Sequence, residues 1–299
     1  MDIALRDVLN KIFICITFHW TVRRLPTLQL VLQTYTGYPT NVEVCVITNE
    51  PERLSNVMRS RWNFTSVSVC GTRREMTHAF QLAWEHRDVM EVAYEKGDHS
   101  LYIYTEDDVE LTWPALQAWA ADESLLAPVG LHRGFVRVES AQWDGRLIAN
   151  DQLHNVSLSM AGADVSIAPS LHGDARVTAS HFVHLASSYQ AMWVASRMQL
   201  AVWMRDPEWG AAQNGYTDNP SREDAAHNLY SLKTDHFQRQ GLHGILSSLV
   251  VPYDRAAHRV LPVAGIAHLD TKESDCSLEA PRPAGTAHCT IYFDDLLVA

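Results

Sequence analysis

The residues best equipped for chemistry stand together at Tyr104-Thr105-Glu106-Asp107-Asp108. Three successive carboxylates repel one another, and holding them in one place costs stability unless a cation offsets the charge. A hard cation such as Mg²⁺ or Mn²⁺ suits them, because it takes oxygen ligands and keeps waters and substrate phosphates in its shell. In an extended chain, side chains at i and i+2 share a side. Glu106 and Asp108 are therefore expected to address one ligand while Asp107 points elsewhere. The plainer reading is a solvated acidic turn after an edge strand. The apolar run Leu101-Tyr102-Ile103-Tyr104 directly before the triplet weighs against it.

The elements that would position this triplet alternate along the N-terminal half. Residues 12–18 form a continuous apolar, β-rich run, as expected of a strand buried on both faces. Leu25, Leu28, Leu32 and Tyr35 follow at helical spacing, with Pro26 tolerated in the first turn. Residues 42–48 read as a second strand, 50–59 as a helix, 66–70 as a short third strand and 77–94 as a long helix. Residues 101–104 read as the fourth strand. This order predicts an α/β domain with a mostly parallel sheet, whose ligands bind beyond the carboxyl ends of the strands. The acidic triplet lies at one such end. Arg23 and Arg24 follow the first strand, where guanidinium donors can meet a diphosphate or simply be solvated. His19 either faces a nucleotide or is an ordinary loop histidine.

Beyond the triplet, Thr112 is expected to cap a helix reaching about Ser124. Residues 131–180 read as short β pieces, with an Asp144-Gly145 turn signal. A long helix is expected over 187–204, then a Gly/Asn/Pro-rich loop over 207–220 and a helix from Ser221. Trp113, Trp119, Trp193 and Trp203 are expected in the core. Phe293-Asp294-Asp295 reads as a solvated end.

The composition suits a folded protein: 299 residues, 46% hydrophobic and 20% charged. Twenty-four Lys and Arg face 35 Asp and Glu, a net charge of −11 that disfavours nucleic acid as a partner and leaves room for one local anion site. Five cysteines without CxxC spacing, three of them in strand-like runs, are expected to be buried thiols in a reducing compartment. No run approaches a transmembrane length, so a cytoplasmic location is expected.

The apolar strand, acidic triplet and following helix resemble the DxD-type motif of GT-A-fold glycosyltransferases. Ile14-Cys15-Ile16-Thr17-Phe18-His19-Trp20, with Arg24, Leu28 and Leu32, is similar to that family's nucleotide-binding first strand and helix. Val44–Glu50 resembles its second strand, whose tip (Thr48, Asn49, Glu50) reads the base. The stretch His78–Arg87 resembles the helix before the acidic strand in one branch. Ser221-Arg222-Glu223-Asp224 resembles the acidic helix start that supplies a catalytic base in inverting members, and Gly265–Leu269 resembles the segment whose histidine joins the metal shell. The resemblance covers roughly residues 12–111 and 185–270, and the triplet departs from it in reading Glu-Asp-Asp.

The resemblance implies a GT-A-like three-layer α/β/α sandwich with a mostly parallel central sheet and a β-rich acceptor-side subregion. One domain over 1–299 is expected, with a nucleotide-binding half at 1–111, an acceptor-binding half at 112–270 and a tail at 271–299. It further implies transfer of a sugar from a UDP-, GDP- or similar donor to a hydroxyl of a glycan or glycolipid, as in polysaccharide biosynthesis. Asp108, Glu106 and His268 are then the Mn²⁺ or Mg²⁺ ligands. His19, Arg23, Arg24, Thr48, Asn49, Glu50 and Asp107 hold the donor, and Glu223 or Asp224 is the base. The alternatives are a nucleotidyltransferase of similar fold, which usually has a Gly-rich first loop and a Lys, and a catalytically silent nucleotide- or carbohydrate-binding protein.

Overall fold

The computed structural model describes residues 8–72, 79–140, 147–149, 165–166, 181–184, 190–206, 209, 249–254, 259–260 and 265–269. The chain divides into two compact units, Met1–Val109 with Ala191–Leu229, and Glu110–Gln190 with Tyr230–Ala299.

The first unit is built on the apolar runs. Strands β1 (Lys11–Phe18), β2 (Asn41–Thr48), β3 (Val67–Gly71) and β4 (Leu101–Glu106) pair in parallel in the order β4-β1-β2-β3, and β11 (Met192–Ser196) adds antiparallel to β4. Seven of the eight β1 residues are buried, as a strand covered on both faces requires. The unit is thus α/β with a mostly parallel central sheet. Helices α1 (Leu25–Thr36) and α2 (Pro51–Arg61) carry the chain outward from β1 to β3. The connection through α3 (Glu85–Lys96) then crosses back to the far side of β1. Right-handed crossovers place α1 and α2 on one face and α3 on the other, giving three layers. α3 ends at Gly97, whose φ of +94° is the left-handed conformation that glycine adopts without strain.

Two expectations about helices change. Residues 79–84 form a 3₁₀ segment rather than the start of an α-helix, and there the His86 ring Nδ1 hydrogen-bonds the Ala83 carbonyl at 2.5 Å. The helix expected over 187–204 begins as strand β11, because Met192–Ser196 find partners along Leu101–Thr105 and cross-strand pairing overrides helical spacing. Helix α5 (Arg197–Trp203) starts only at Ser196, where a capping box with Gln199 satisfies the first backbone donors.

The expectation of buried thiols is also corrected. Cys45 and Cys70 are joined in a disulfide between β2 and β3. The register sets Cys45 opposite Ser68 and Ile47 opposite Cys70, so the two cysteines lie diagonally with Cα atoms 6.0 Å apart, within disulfide reach. Cys15 is free and fully buried, which pushes its thiol well above the ordinary range. Cys276 and Cys289 lie outside the described residues.

The second unit is richer in short strands. Its helix α4 (Trp113–Leu126) is capped by Thr112, whose hydroxyl accepts from the Ala115 amide, as expected. Strand β5 (Val109–Glu110) leads into it. Strand β6 (His132–Arg133) pairs parallel with β12 (Leu249–Asp254), which also pairs antiparallel with β10 (His181–His184) and β13 (Arg259–Val260). β10 pairs in turn with β9 (Val165–Ser166). Strand β7 (Val136–Ser140) lies between β8 (Leu147–Ala149) and β14 (Gly265–His268). Trp119, Trp193 and Trp203 are buried as expected, while Trp113 is half-buried. No described helix is long and apolar enough to cross a membrane.

Candidate functional site

The sheet of the first unit reverses its winding between β1 and β4. Chain leaving β1 goes towards β2, and chain arriving at β4 comes from the other face. Such a switch point opens a crevice at the carboxyl ends of the two strands. Register places Phe18 beside Thr48 and Thr17 beside Glu106, so residues 19–24, 48–50 and 106–108 all emerge at this edge.

The acidic triplet is fixed by its turn. β4 includes Thr105 and Glu106, and residues 107–108 form a turn leading into β5. The Thr105 hydroxyl donates to the Val109 carbonyl at 3.2 Å, which also accepts from the Tyr35 hydroxyl at 3.3 Å. The Glu106 amide donates to the Ala191 carbonyl of the segment entering β11. All three carboxylate residues are buried. Because the chain turns at Asp107, the i, i+2 geometry of an extended strand does not apply to Glu106 and Asp108. Asp107 and Asp108 instead share a partner. The Arg24 guanidinium donates to Asp108 Oδ2 and lies 3.1 Å from Asp107 Oδ1. Burial, and next the charge of Asp108, push the Asp107 carboxyl well above the usual carboxylate range, against the pull of Arg24. Asp107 Oδ2 is buried without a hydrogen-bond partner.

Arg24 stands in the 3₁₀ turn Val22–Arg24 that follows β1. His19 and Arg23 on the same loop are exposed. The loop is tied to the tip of β2, since the Trp20 amide donates to Asn49 Oδ1 at 2.8 Å. Thr48 is buried and its hydroxyl accepts from the Glu50 amide, while Glu50 pairs with Arg53 at 3.4 Å. Nine sequence-predicted positions therefore share one edge: His19, Arg23, Arg24, Thr48, Asn49, Glu50 and the acidic triplet. Asn49 acts through the loop backbone, and Arg24 meets carboxylates.

His268 belongs to the second unit. It ends β14, where its Nδ1–H donates to the Glu139 carboxylate of β7, and both residues are buried. Glu223 and Asp224 lie outside the described residues. Among the described residues, no group of three or more His, Cys, Asp or Glu is arranged to hold a metal ion. The carboxylate oxygens of the triplet are of the kind a hard cation takes, and two buried ones, Asp107 Oδ2 and Asp108 Oδ1, have no hydrogen-bond partner.

Behind the edge lies a cluster that sequence reading passed over. His86, completely buried, stacks on Tyr104 with ring centroids 3.9 Å apart, and Trp193 and Trp209 close around it at 5.5 and 6.2 Å. The Tyr104 hydroxyl hydrogen-bonds Thr17 at 3.1 Å, tying β4 to β1 three residues before the chain turns at Asp107. Burial, then the charge of Arg87, hold the imidazole well below its ordinary range, so it stays neutral. The signal available was the tract Trp84-Glu85-His86-Arg87 ahead of the acidic strand.

The chain matches no protein family and no curated protein. Among solved structures, 4-diphosphocytidyl-2C-methyl-D-erythritol synthase from Anaerococcus prevotii is 8% identical, covering 75% of this chain and 84% of its own, with a TM-score of 0.35. A likeness that loose carries no argument, and the fold rests on the strand order itself.

Proposed function

We propose that this protein is a metal-dependent glycosyltransferase that moves a sugar from a nucleotide-sugar donor, such as a UDP- or GDP-sugar, to a hydroxyl of a glycan or glycolipid. The observation that carries the reading is one guanidinium shared by Asp107 and Asp108, within a run of three buried carboxylates at the β1/β4 switch point. Arg24 donates to Asp108 Oδ2 and lies beside Asp107. When donor enters, the guanidinium turns to its diphosphate, for which its paired N–H donors are suited. Asp108 and Glu106 would hold Mn²⁺ or Mg²⁺, with His268 as the proposed third ligand, and that cation would supply Lewis-acid stabilisation of the leaving nucleoside diphosphate. Asp107 keeps Arg24 from leaving the crevice. His19, Arg23 and the tip formed by Thr48, Asn49 and Glu50 contact the nucleotide. Glu223 or Asp224 accepts the proton of the acceptor hydroxyl in an inverting transfer.

A titration of UDP, GDP, CDP, CMP and dTDP, each with and without Mn²⁺, tests the reading. Tight metal-dependent binding of one nucleotide, weakened roughly 100-fold in Asp108→Ala, supports it. Silence across the panel removes it. Glu223→Gln should leave donor binding intact and slow transfer; unchanged turnover would pass the base role to Asp224 or remove it. Slow donor hydrolysis separates an enzyme from a silent binding protein, and release of diphosphate from a nucleoside triphosphate would favour nucleotidyl transfer instead.

A further inference from the structure

The first unit carries a second concavity, away from the β1/β4 crevice. It lies where α2, the connection 62–64 and strand β3 meet, with a cavity volume of about 530 Å³. Val67 and Val69, two apart on β3, share one side of the strand and form its floor. Met58 closes the inner end. Trp62 and Phe64 stand half-buried in edge-to-face contact, ring centroids 6.1 Å apart. A volume of this size is in the range of small-ligand sites.

The chemistry of the lining narrows the occupant. Among the described residues no carboxylate lines the cavity, so it offers no anionic oxygen to a metal, although the chain as a whole is strongly acidic. Its polar groups are a hydroxyl on Ser55, the exposed Asn63 amide and Arg59, whose guanidinium is steered by neutral oxygens, the Ser55 carbonyl and Asn56 Oδ1. The Asn63 amide and the Trp62 indole N–H make no hydrogen bond within the described protein. Aromatic faces beside neutral donors and acceptors suit a pyranose ring, which has an apolar C–H face and a rim of hydroxyls. A purely apolar ligand would leave the amide and hydroxyl unserved.

We propose that this cavity is a saccharide-binding subsite, separate from the donor crevice, in which Trp62 stacks on one face of a neutral or anionic sugar ring while Asn63 and Arg59 bind its hydroxyls or carboxylate. The inference goes beyond the proposed transfer reaction and stands without it. It would anchor a glycan remote from the point of chemistry.

Saturation-transfer NMR tests it on the full chain with methyl α-glucoside, methyl β-galactoside, methyl α-mannoside, N-acetylglucosamine and glucuronate. At least one is expected to receive saturation on the protons of one ring face, and Trp62→Ala should weaken its binding roughly tenfold or more. Asn63→Ala, on an exposed position that the fold does not use, should weaken it less and keeps the test valid if the tryptophan variant misfolds. Binding should persist in Asp108→Ala, so that loss of the nucleotide reading and loss of this one are told apart. Absence of any saturation would overturn the subsite, as would binding that survives both variants. So would occupation by an apolar dye or by a strand-forming peptide, with no displacement by sugar.

Discussion

Among the described residues, each unit has an arginine that meets buried carboxylates, Arg24 in the first and Arg133 in the second. In the second unit, the Arg133 Nε donates to Asp122 Oδ2 at 2.9 Å and its Nη1 to the Gly134 carbonyl. The neighbouring carboxylate, Glu123, takes the Arg133 backbone amide and the His132 ring, both at 2.7 Å. Asp122 and the Arg133 side chain are enclosed almost completely. In the first unit, Arg24 retains a fifth of its side-chain exposure and faces Asp107 and Asp108, with Glu106 adding its charge to theirs. The closed network gives both carboxylates donors from the adjoining strand and holds α4 to β6. The open one sets a partly exposed guanidinium against two buried aspartates and leaves Asp107 Oδ2 without a hydrogen-bond partner. Full pairing serves packing; a buried carboxylate oxygen left over is what a site that must accept a cation offers.

Truncation should separate the two most sharply. Arg133→Ala strands a buried carboxylate and is expected to cost about 3–5 kcal/mol in denaturant unfolding. Arg24→Ala also strands buried carboxylates, but beside a position that water reaches, and should cost less, about 1–2 kcal/mol. Equal losses would erase the distinction. Replacing both members of the closed pair, Arg133→Met with Asp122→Leu, should recover most of the stability.

A third buried ionisable group extends the contrast, since His86 lies among aromatic rings with Arg87 as its charged neighbour. Its folded pKa is depressed, so below the unfolded value near 6.5 the unfolded chain binds the extra proton. Stability should therefore fall as pH drops through about 6.5, approaching ~1.4 kcal/mol per pH unit between the two pKa values. His86→Phe should flatten that limb; an unchanged slope would show that the ring is not held neutral.

Neutralising Asp107 should act in the opposite sense. Asp107→Asn is expected to raise stability by about 0.5–2 kcal/mol, as removal of a strained functional charge commonly does, while Mn²⁺-dependent nucleotide binding weakens. A loss of stability instead would place Asp107 with the closed network. The smallest effect is a control: Thr112→Ala and Ser196→Ala remove one helix cap from each unit. Each should cost about 1 kcal/mol, since local capping is indifferent to the charge around it.

Much of the first unit was legible because its parallel strands are written as unbroken apolar runs, each closed by a change in composition. The triplet was found for that reason, at the end of Leu101-Tyr102-Ile103-Tyr104. What could not be read was anything set by neighbours distant in sequence. Met192-Trp193-Val194 has apolar residues that satisfy a helix or a strand, and only β4 decides between them. Cys45 and Cys70 become partners only when β2 and β3 lie side by side. Arg24 was recognised as a cation at the right edge, but not that Asp107 and Asp108 both turn onto it, since that depends on the chain bending at Asp107. The Ser196–Gln199 capping box was readable and marks the true start of α5.

The antiparallel strand β11 has a consequence for how the molecule is made. It covers the outer edge of β4, yet roughly 85 residues of chain separate Glu106 from Met192. At ribosomal rates of about 5–20 residues per second, β4 is synthesised on the order of ten seconds before the strand that seals it. Over that interval an apolar strand, Leu101-Tyr102-Ile103-Tyr104, offers an open ladder to any passing chain. The newborn protein therefore has a window of vulnerability to aggregation that closes only when Ala191–Ser196 arrive, and slowing translation over residues 107–190 should widen it.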